Sequence, residues 1–369
     1  MKNNIVIVKF GGSCLSTPES VFSAANKIAN EMKTGRQIIV VVSAMSGVTD
    51  ELLHMAKAAS EGKVAKEDLD AILSMGERTS VRIMTSTLKS MNINTIGIVP
   101  ESSFWPIFTD STFNNAHIEL QKTCKAVKQK LRPLLDQGHV LIVAGFLGLS
   151  PDGKITTLGR GGSDLTAVVL GNCIAAKEVI FVKDVSGILS ADPKKVMDPK
   201  KIDQLMAEEA YSLASAGAKV IQPRALMFKK RSMTLRVVGF DSDDLSGGTV
   251  ITGELNAELD STLHQTPISM ITLITQSGSL STIIEMLTHV PTKEMNILSM
   301  TVSLTSLLLY VQNPSNLVQN LHEKVRKNEG VKAIHCIDSL AMIAITGYRL
   351  ESIPGIIDAI ISPLARENI

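Results

Sequence analysis

Residues 157–164 have the sequence TLGRGGSD, and an apolar run typical of a packed helix follows them directly. The two adjacent glycines would let the backbone approach a ligand closely, because glycine has no Cβ. The serine and the aspartate can cap the helix, whose free N–H groups favour an anion. Arg160 adds a planar guanidinium group that suits a carboxylate or a phosphate. Taken alone, the segment fits a ligand-binding turn and a plain glycine turn equally well, and only other segments of the chain can distinguish the two.

The amino-terminal segment has the same order of strand, glycine turn and helix. Residues 5–8 form a continuous β-branched run, which is typical of a strand buried on both faces. KFGGS follows at residues 9–13, and an amphipathic helix is predicted from Pro18 onward. Such a turn can bind phosphate through its N–H groups. Neither GxxxxGK nor GxGxxG is present, and KFGG alone is more often a simple tight turn.

Further buried strands are predicted at residues 38–42, 96–99, 140–144 and 179–182. Loops with glycine or hydroxyl groups follow some of them, namely SAMSGVTD at 43–50, GFLG at 145–148 and KDVSGILSADPK at 183–194. Open α/β sheets bind ligands at the carboxyl ends of their strands, so these loops predict a binding edge. Simple capping of the next helix by Thr49 or Asp50 would also explain the first loop. The alternation predicts an α/β fold with an open, mostly parallel sheet sandwiched by helices.

Composition narrows the class of protein. The chain has 369 residues, which predicts two or three domains, and 44% of them are hydrophobic. Lys and Arg total 37 against 36 Asp and Glu, and aromatic residues make up 4%, so a nucleic-acid-binding surface is not expected. No apolar stretch is long enough for a signal peptide or a membrane span. We therefore expect a cytoplasmic protein.

The cysteines give no sign of a cross-linked or metal-binding framework. There are four of them, Cys14, Cys124, Cys173 and Cys336. Their positions show no paired spacing, which predicts neither a disulfide framework nor a zinc site. We therefore expect the thiols to be reduced, as is usual in the cytoplasm.

The pattern changes after residues 254–266, a polar stretch that we interpret as a linker. Beyond it, strands are predicted at 268–274, 331–337 and 342–346, a pair of strands at 297–311, and helices at 280–289, 317–325 and 353–364. This order is an α+β unit, βαββαβ, followed by the opening βα of an incomplete second copy. The predicted domains are thus residues 1–253 and 267–369.

Several of these segments occur together, in this order, in the aspartate kinases of the amino-acid kinase superfamily, which the chain resembles. The shared segments are KFGG at 9–12, SAMSGVTD at 43–50, GE at 76–77, GFLG at 145–148, TLGRGGSD at 157–164, KDVSGILSADPK at 183–194 and GAKVIQP at 217–223. The combination of KFGG with TLGRGGSD is highly specific. The resemblance covers residues 5–252 as a kinase domain, and it implies an ACT-type sensing region from residue 268 onward.

The resemblance implies transfer of the γ-phosphoryl group of MgATP to the β-carboxylate of L-aspartate. A carboxylate is ionised at neutral pH and can attack phosphorus without a general base. The protein then has to supply positioning and positive charge around the phosphoryl group. Lysines and glycine N–H groups meet that requirement. Mg²⁺ would arrive with the nucleotide, so a protein metal site is not expected.

The resemblance also implies roles for individual residues. Lys9 would stabilise the phosphoryl group, Asp164 would orient Lys9 through an ion pair, and Lys219 completes the catalytic set. Arg160 would bind the α-carboxylate of aspartate and Glu77 its ammonium group, although Glu77 alone would be interpreted as a surface charge. The other substrate-binding residues are Ser43, Thr49, Phe146 and Ser163. The nucleotide-binding residues are Lys9, Gly11, Gly12, Ser13, Gly161, Gly162, Lys183, Asp184, Leu189, Asp192, Lys194 and Lys219.

The chain departs from the family pattern at several positions. Cys14 replaces a hydroxyl residue, Lys183 a threonine, Leu189 a tyrosine, Lys194 an arginine and Gln222 a histidine. All except Cys14 are expected on the nucleotide side. These changes are therefore expected to affect the affinity for ATP more than the affinity for aspartate. The acidic residue expected after residues 296–297 is missing, which argues against inhibition by lysine. An open ACT-type sheet has an unpaired edge that a second subunit could cover, so a homodimer or higher homo-oligomer is expected.

Two alternatives stay open at this stage. A relative that acts on acetylglutamate, glutamate or UMP is disfavoured by the sensing-type tail. The pair of Glu77 and Arg160, which suits a free amino acid, argues in the same direction. A catalytically weakened, amino-acid-sensing protein would fit the altered nucleotide-side residues and the incomplete tail. An amino-acid effector is expected to bind that tail.

Overall fold

The central strand of the fold is the apolar segment at the amino terminus, Ile5–Phe10, and all six of its residues are buried. The chain divides into two compact units, Met1–Leu255 and Asn256–Ile369. The computed structural model describes residues 4–218, 221–255, 260–275, 296–303, 305–312, 317–327, 331–346 and 355–367.

The first unit alternates strands and helices along most of its length. Its strands are β1 (Ile5–Phe10), β2 (Gln37–Val42), β3 (Thr95–Ile98), β4 (Val140–Ala144), β5 (Leu147–Leu149), β6 (Ile155–Thr157), β7 (Glu178–Lys183), β8 (Ile188–Leu189), β9 (Lys201–Ile202), β10 (Gln204–Met206), β11 (Thr234–Gly239) and β12 (Thr249–Thr252). Its helices are α1 (Pro18–Met32), α2 (Val48–Ala59), α3 (Lys66–Ser90), α4 (Leu120–Ala126), α5 (Arg132–Asp136), α6 (Gly162–Ile174), α7 (Ala207–Ser215) and α8 (Pro223–Leu226). No helix in the described ranges is long and apolar enough to cross a lipid bilayer.

Eight of these strands form one sheet in the order β10-β12-β11-β7-β1-β2-β4-β3. Each neighbouring pair is parallel except β11 and β12, which are antiparallel. The middle strands are continuous apolar runs because the side chains on both of their faces are buried. The predicted α/β class with an open, mostly parallel sheet is therefore confirmed.

The carboxyl ends of β1, β2 and β7 lie side by side. Phe10 is in register with Val42 of β2 and with Val182 of β7, so the loops after these three strands begin at one edge. The first two loops pack directly on each other, because a Cβ added at Gly12 would lie 2.5 Å from Ala44 O. Glycine is required at this position for the two loops to approach.

The second unit contains a four-stranded sheet and two described helices. Its elements are β13 (Asp260–Thr275), β14 (Asn296–Val302), β15 (Ser306–Gln312), α9 (Leu317–Lys327), β16 (Val331–Thr346) and α10 (Ile356–Arg366). The sheet is antiparallel with the order β14-β15-β13-β16. Alternate residues of β13 and β15 form a core with α9, namely Ile271, Leu273, Leu307, Leu309, Val311, Leu317 and Leu321. This α+β arrangement is consistent with an ACT-type region.

The second unit differs from the sequence prediction at its longest strands. β13 begins at Asp260, inside the stretch 254–266 that we interpreted as a linker. Residues 331–337 and 342–346, predicted as two strands, belong to the single strand β16. Both differences have one cause: Asp260 is in register with Thr346, so the outer halves of β13 and β16 pair and extend each other. The predicted helix at 280–289 lies outside the described residues.

The structure contradicts the expectation that all thiols are reduced. Cys124 of α4 and Cys173 of α6 form a disulfide bond, with their Cα atoms 4.5 Å apart. Their separation of 49 residues leaves no local spacing signal, and it is the packing of α4 against α6 that brings them together. Cys14 and Cys336 are free, and Cys14 is buried.

This disulfide should stabilise the first unit. Closing a loop over a separation of 49 residues removes entropy from the unfolded chain, so Cys124→Ser/Cys173→Ser should lower the free energy of unfolding by about 2–4 kcal/mol. Urea denaturation measures this, and a reductant should destabilise the wild type but not the double variant. Cys336→Ser is the matched control, because that thiol is free. Wild-type curves that coincide with and without reductant would contradict a bond between the two thiols.

Candidate active site

Lys9 and Asp164 form an ion pair at the carboxyl edge of the sheet. Lys9 of β1 is 8% exposed and Asp164, in the first turn of α6, is 7% exposed. Lys9 Nζ lies 2.8 Å from Asp164 Oδ1. Lys183, the last residue of β7, places its Nζ 4.0 Å from the other oxygen, Oδ2, to which Gln222 N–H also donates at 3.3 Å. Two ammonium groups thus share one carboxylate.

The electrostatics of this group favour an anionic ligand. Burial opposes the charged form of Asp164, but Lys9 and Lys183 outweigh it and keep the pKa of the carboxyl group below its ordinary value. Burial lowers the pKa of Lys183, because its ammonium group loses hydration, while Asp164 and the exposed Asp184 attract it. A buried cation and a half-buried cation beside one buried anion leave positive charge that a bound anion would compensate.

The turn after β1 can offer N–H groups to such an anion. It is a short 3-10 helix that begins at Gly12, and Cys14 N–H donates to Gly11 O at 3.0 Å. The N–H groups of Gly12 and Ser13 precede this bond, as the first donors of any helix do. Gly11 N–H donates to Val182 O at 3.4 Å, which fixes the turn against β7.

Glu77 of α3 reaches the same edge beside β2. It is 3% exposed, and its Oε1 accepts a hydrogen bond from Ala44 N–H at 3.0 Å. Within the described part of the chain, its Oε2 has no hydrogen-bond partner. Burial raises the pKa of Glu77 to about 7, although the Ala44 N–H and Lys9 act in the opposite direction. This carboxylate is not a surface charge, and it is suited to a cationic group of a ligand.

The loop after β4 packs on the start of α6. A Cβ added at Gly145 would lie 2.6 Å from Ser163 Oγ, and Ser163 is buried. Phe146 has the unusual φ of 67°, and a Cβ added at Gly162 would lie 2.9 Å from its Cδ2. A left-handed backbone at a bulky residue is strained, and strain of this kind is found at binding sites. Arg160 is exposed just before this helix.

The two remaining predicted substrate residues follow β2. Ser43 N–H donates to Phe10 O at 3.3 Å, so Ser43 lies beside the end of β1. Thr49 lies in the first turn of α2, which begins after Gly47 at a φ of 84°. Ser43 thus borders the edge that carries Lys9, whereas in the described ranges no hydrogen bond links Thr49 to that edge.

The predicted nucleotide residues beyond β7 are more dispersed. Asp184 is exposed directly after β7, and Leu189 is half-buried in β8. Asp192 and Lys194 are exposed in the next loop, where Asp192 Oδ1 accepts a hydrogen bond from Lys194 N–H at 2.9 Å. Among the described contacts, neither Asp192 nor Lys194 forms an ion pair with Lys9, Asp164 or Lys183. Lys219 lies outside the described residues.

Three residues that hydrogen-bond to the segment around Arg160 were not among the predicted site residues, namely Asp70, Gln222 and Arg224. Gln222 was expected on the nucleotide side, but its Nε2 donates to Arg160 O at 2.6 Å, because α8 packs against α6. Asp70 lies two helical turns before Glu77 on α3, so the two carboxylates share a face of that helix. The spacing of seven residues from Glu77 could have indicated Asp70 as a site residue. No motif or spacing in the sequence near Arg224 indicates a role for it.

Comparisons with known proteins show the family of the chain. Residues 4–239 match the amino acid kinase family. The aspartokinase of Geobacillus stearothermophilus is 30% identical over 374 residues, which cover 99% of this chain and 89% of that protein. Aspartokinase 2 of Bacillus subtilis strain 168 is 30% identical over 375 residues, covering 99% of this chain and 90% of that protein.

Solved structures show the same fold. E. coli aspartokinase III in complex with aspartate and ADP has a TM-score of 0.63 at 22% identity, covering 95% of this chain and 89% of that one. The aspartate kinase from Synechocystis has a TM-score of 0.69 at 24% identity, covering 93% of this chain and 60% of that one. The chain belongs to the amino acid kinase family and, within it, to the aspartokinases.

Proposed function

We propose that the protein is an aspartate kinase, which transfers the γ-phosphoryl group of MgATP to the β-carboxylate of L-aspartate and yields 4-phospho-L-aspartate. The main support is the buried ion pair of Lys9 and Asp164, which the half-buried Lys183 joins, with the carboxylate of Glu77 buried at the same edge. The first group offers positive charge to a phosphoryl group, and the second offers negative charge to an amino group. The product would lead towards lysine and diaminopimelate, threonine and methionine.

Lys9 is the group proposed to contact the transferring phosphoryl group. The attacking carboxylate is already ionised, so no proton has to be removed and charge stabilisation is the main task. Because Lys9 is buried, water screens its charge little and its effect on the transition state is larger than it would be in solvent. Asp164 holds the ammonium group in place before the reaction begins.

The acceptor is proposed to bind through both of its charged α-substituents. Glu77 would bind the ammonium group, and Arg160 would bind the α-carboxylate through its planar guanidinium. The β-carboxylate would then face the phosphoryl group. The residues proposed to surround this reacting end are Ser43, Thr49, Phe146 and Ser163.

The nucleotide is proposed to lie along the turn after β1 and the loop after β7, with Mg²⁺ bound to its phosphates. E. coli aspartokinase III, which has the same fold, was solved with aspartate and ADP. Lys183, whose Nζ lies 4.0 Å from Asp164 Oδ2, would add positive charge for the phosphates. The other residues proposed for this role are Gly11, Gly12, Ser13, Gly161, Gly162, Asp184, Leu189, Asp192, Lys194 and Lys219.

Hydroxylamine trapping tests this function. Incubation with MgATP, L-aspartate and hydroxylamine should yield aspartyl hydroxamate, because hydroxylamine captures an acyl phosphate. Acetylglutamate, glutamate and UMP are the comparison acceptors, and each should react far more slowly. Product from one of them and none from aspartate would overturn the proposal. Calorimetric binding of aspartate without any ATP turnover would instead indicate an amino-acid-sensing protein.

The second unit is proposed to regulate the first and to join subunits. We assign the catalytic domain to residues 1–253, and an ACT-type region with an incomplete second copy to the chain from β13 onward, which begins at Asp260 rather than at the predicted residue 267. E. coli aspartokinase III was also solved with lysine and aspartate, which supports an amino-acid effector here. Since β14 and β16 are the edges of their sheet, a second copy could cover one of them. We expect a cytoplasmic homodimer or higher homo-oligomer.

Affinity for L-aspartate should fall below neutral pH. Because burial raises the pKa of Glu77 to about 7, this group gains a proton as the pH falls through that value and no longer attracts an ammonium group. Calorimetry without nucleotide should show binding about tenfold weaker at about pH 6 than at about pH 8. Glu77→Gln should bind weakly at both values. An unchanged wild-type affinity over this range would contradict the role of Glu77.

A further inference from the structure

The Arg160 turn, defined here as residues 157–162, is held by side chains that lie outside it. Asp70 of α3 is fully buried and accepts hydrogen bonds from Thr157 N–H at 2.9 Å and from Thr157 Oγ1 at 2.7 Å. It also accepts one from Asn114 N–H at 2.9 Å. The first residue of the Arg160 turn is thereby fixed to α3, the helix that also carries Glu77.

Arg224 of α8 fixes the second residue of the Arg160 turn. Its Nη1 donates to Leu158 O at 3.0 Å and to Asn115 Oδ1 at 2.6 Å. Its Nη2 donates to Ala116 O at 3.2 Å. A planar guanidinium group suits several acceptors at once, so the start of the turn is fixed from two sides.

Gln222 acts on the other end of the turn. Its Nε2 donates to Arg160 O at 2.6 Å, and its backbone N–H donates to Asp164 Oδ2 at 3.3 Å. A Cβ added at Gly161 would lie 2.7 Å from Gln222 Cβ, so the two residues are in close contact. Gly161 has a φ of 70°, and a peptide beside a glycine can rotate at little cost. The hydrogen bond from Gln222 therefore sets the orientation of the Arg160–Gly161 peptide.

From this geometry we infer that Gln222 is a positioning residue for the amino-acid acceptor, which it serves by fixing the peptide that presents Arg160. The inference rests on the proposed function, in which Arg160 binds the α-carboxylate of the acceptor. The side chain of Gln222 acts on this turn, whereas Asp164 is bonded to its backbone N–H. A change of the side chain therefore leaves the contact with the catalytic carboxylate in place.

The expected effect is local, because Asp70 and Arg224 still fix the start of the turn when Gln222 is changed. Gln222→Met keeps the length of the side chain and its packing on Gly161 but removes the donor. Loss of one neutral hydrogen bond should raise the KM for L-aspartate about fivefold. The KM for ATP and kcat should stay within about twofold of wild type, and the unfolding temperature should not change.

Two comparisons separate this role from a purely structural one. Gln204→Met is the matched control, since Gln204 Nε2 also donates a hydrogen bond, to Thr252 Oγ1 at 3.4 Å, but Gln204 lies on β10. It should leave the KM for L-aspartate unchanged. In an Arg160→Ala background, which removes the guanidinium itself, Gln222→Met should add no further rise in that KM.

Each outcome has a defined meaning. An unchanged KM for L-aspartate in Gln222→Met would overturn the inference. Equal rises in the KM for both substrates, a lower unfolding temperature, or a full effect in the Arg160→Ala background would overturn it too. Absence of hydroxamate from wild type and aspartate would contradict the proposed function alone. Wild type and the same four variants, titrated calorimetrically with the amino acid that does bind, would then decide whether Gln222 positions the acceptor.

Discussion

Replacement of Lys9 by alanine is expected to lower kcat about a thousandfold while binding of L-aspartate stays almost unchanged. Lys9 Nζ lies 2.8 Å from Asp164 Oδ1 in a buried site, so its loss removes positive charge where solvent cannot replace it. A contact made mainly in the transition state lowers kcat and kcat/KM together. A coupled assay of ADP release gives kcat, and calorimetry without nucleotide gives the affinity for aspartate.

The Lys9→Ala variant should remain folded, because Lys183 Nζ still lies 4.0 Å from the other oxygen of Asp164. Its loss of activity can then be attributed to the missing charge. Lys177→Ala is the matched control, since Lys177 is an exposed lysine immediately before β7, at the opposite end of that strand. The control should keep the wild-type kcat. Mild and equal losses of kcat and aspartate affinity in Lys9→Ala would contradict the assigned role.

The edge of the sheet that carries the site could be predicted because its residues stand at strand ends. Lys9, Ser43 and Lys183 each end or follow a buried apolar run, and parallel strands bring their carboxyl ends together. The sharing of Asp164 between two lysines could not be predicted. It depends on the register of β7 against β1, which the sequence pattern does not determine.

The burial of Glu77 could be predicted only in part from the local sequence. A Cβ added at the preceding residue, Gly76, would lie 2.6 Å from Ala44 Cβ, so glycine lets α3 approach the loop after β2. This approach buries Glu77 against Ala44 N–H. Gly76 therefore explains how α3 can approach the loop after β2. The sequence does not indicate that Ala44 N–H is the hydrogen-bond partner of Glu77.

The features that the sequence did not predict depend on residues far apart in the chain. The Cys124–Cys173 bond requires two helices to pack, and the extension of β13 requires the outer half of β16 as a partner. Gln222 reaches the Arg160 turn from a segment that the family pattern placed with the nucleotide. None of these contacts leaves a hydrophobic period, a cap or a spacing that local rules detect.

Replacement of Asp164 by asparagine is expected to impair stability as well as turnover, unlike Lys9→Ala. The change leaves the ammonium groups of the buried Lys9 and the half-buried Lys183 without the carboxylate that they share. Removing one partner of a buried ion pair costs about 3–5 kcal/mol, because an uncompensated charge stays in surroundings of low polarity. Turnover should fall too, since Lys9 loses the group that orients it. Urea denaturation and the hydroxamate assay measure the two effects.

The loss of stability in Asp164→Asn should depend on pH with a defined sign. Burial lowers the pKa of Lys183 and Asp164 counteracts this, so the pKa of Lys183 should fall further in the variant. A lysine whose pKa is lower in the folded than in the unfolded state destabilises the fold while it is protonated, and this loss is relieved as the pH rises through the folded-state value. The difference in free energy of unfolding between wild type and variant should therefore be largest near neutral pH and smaller at alkaline pH. Asp184→Asn, which removes an exposed carboxylate that also attracts Lys183, should cost far less. A difference that does not vary with pH, or equal losses in the two variants, would contradict the sharing of Asp164 by two lysines.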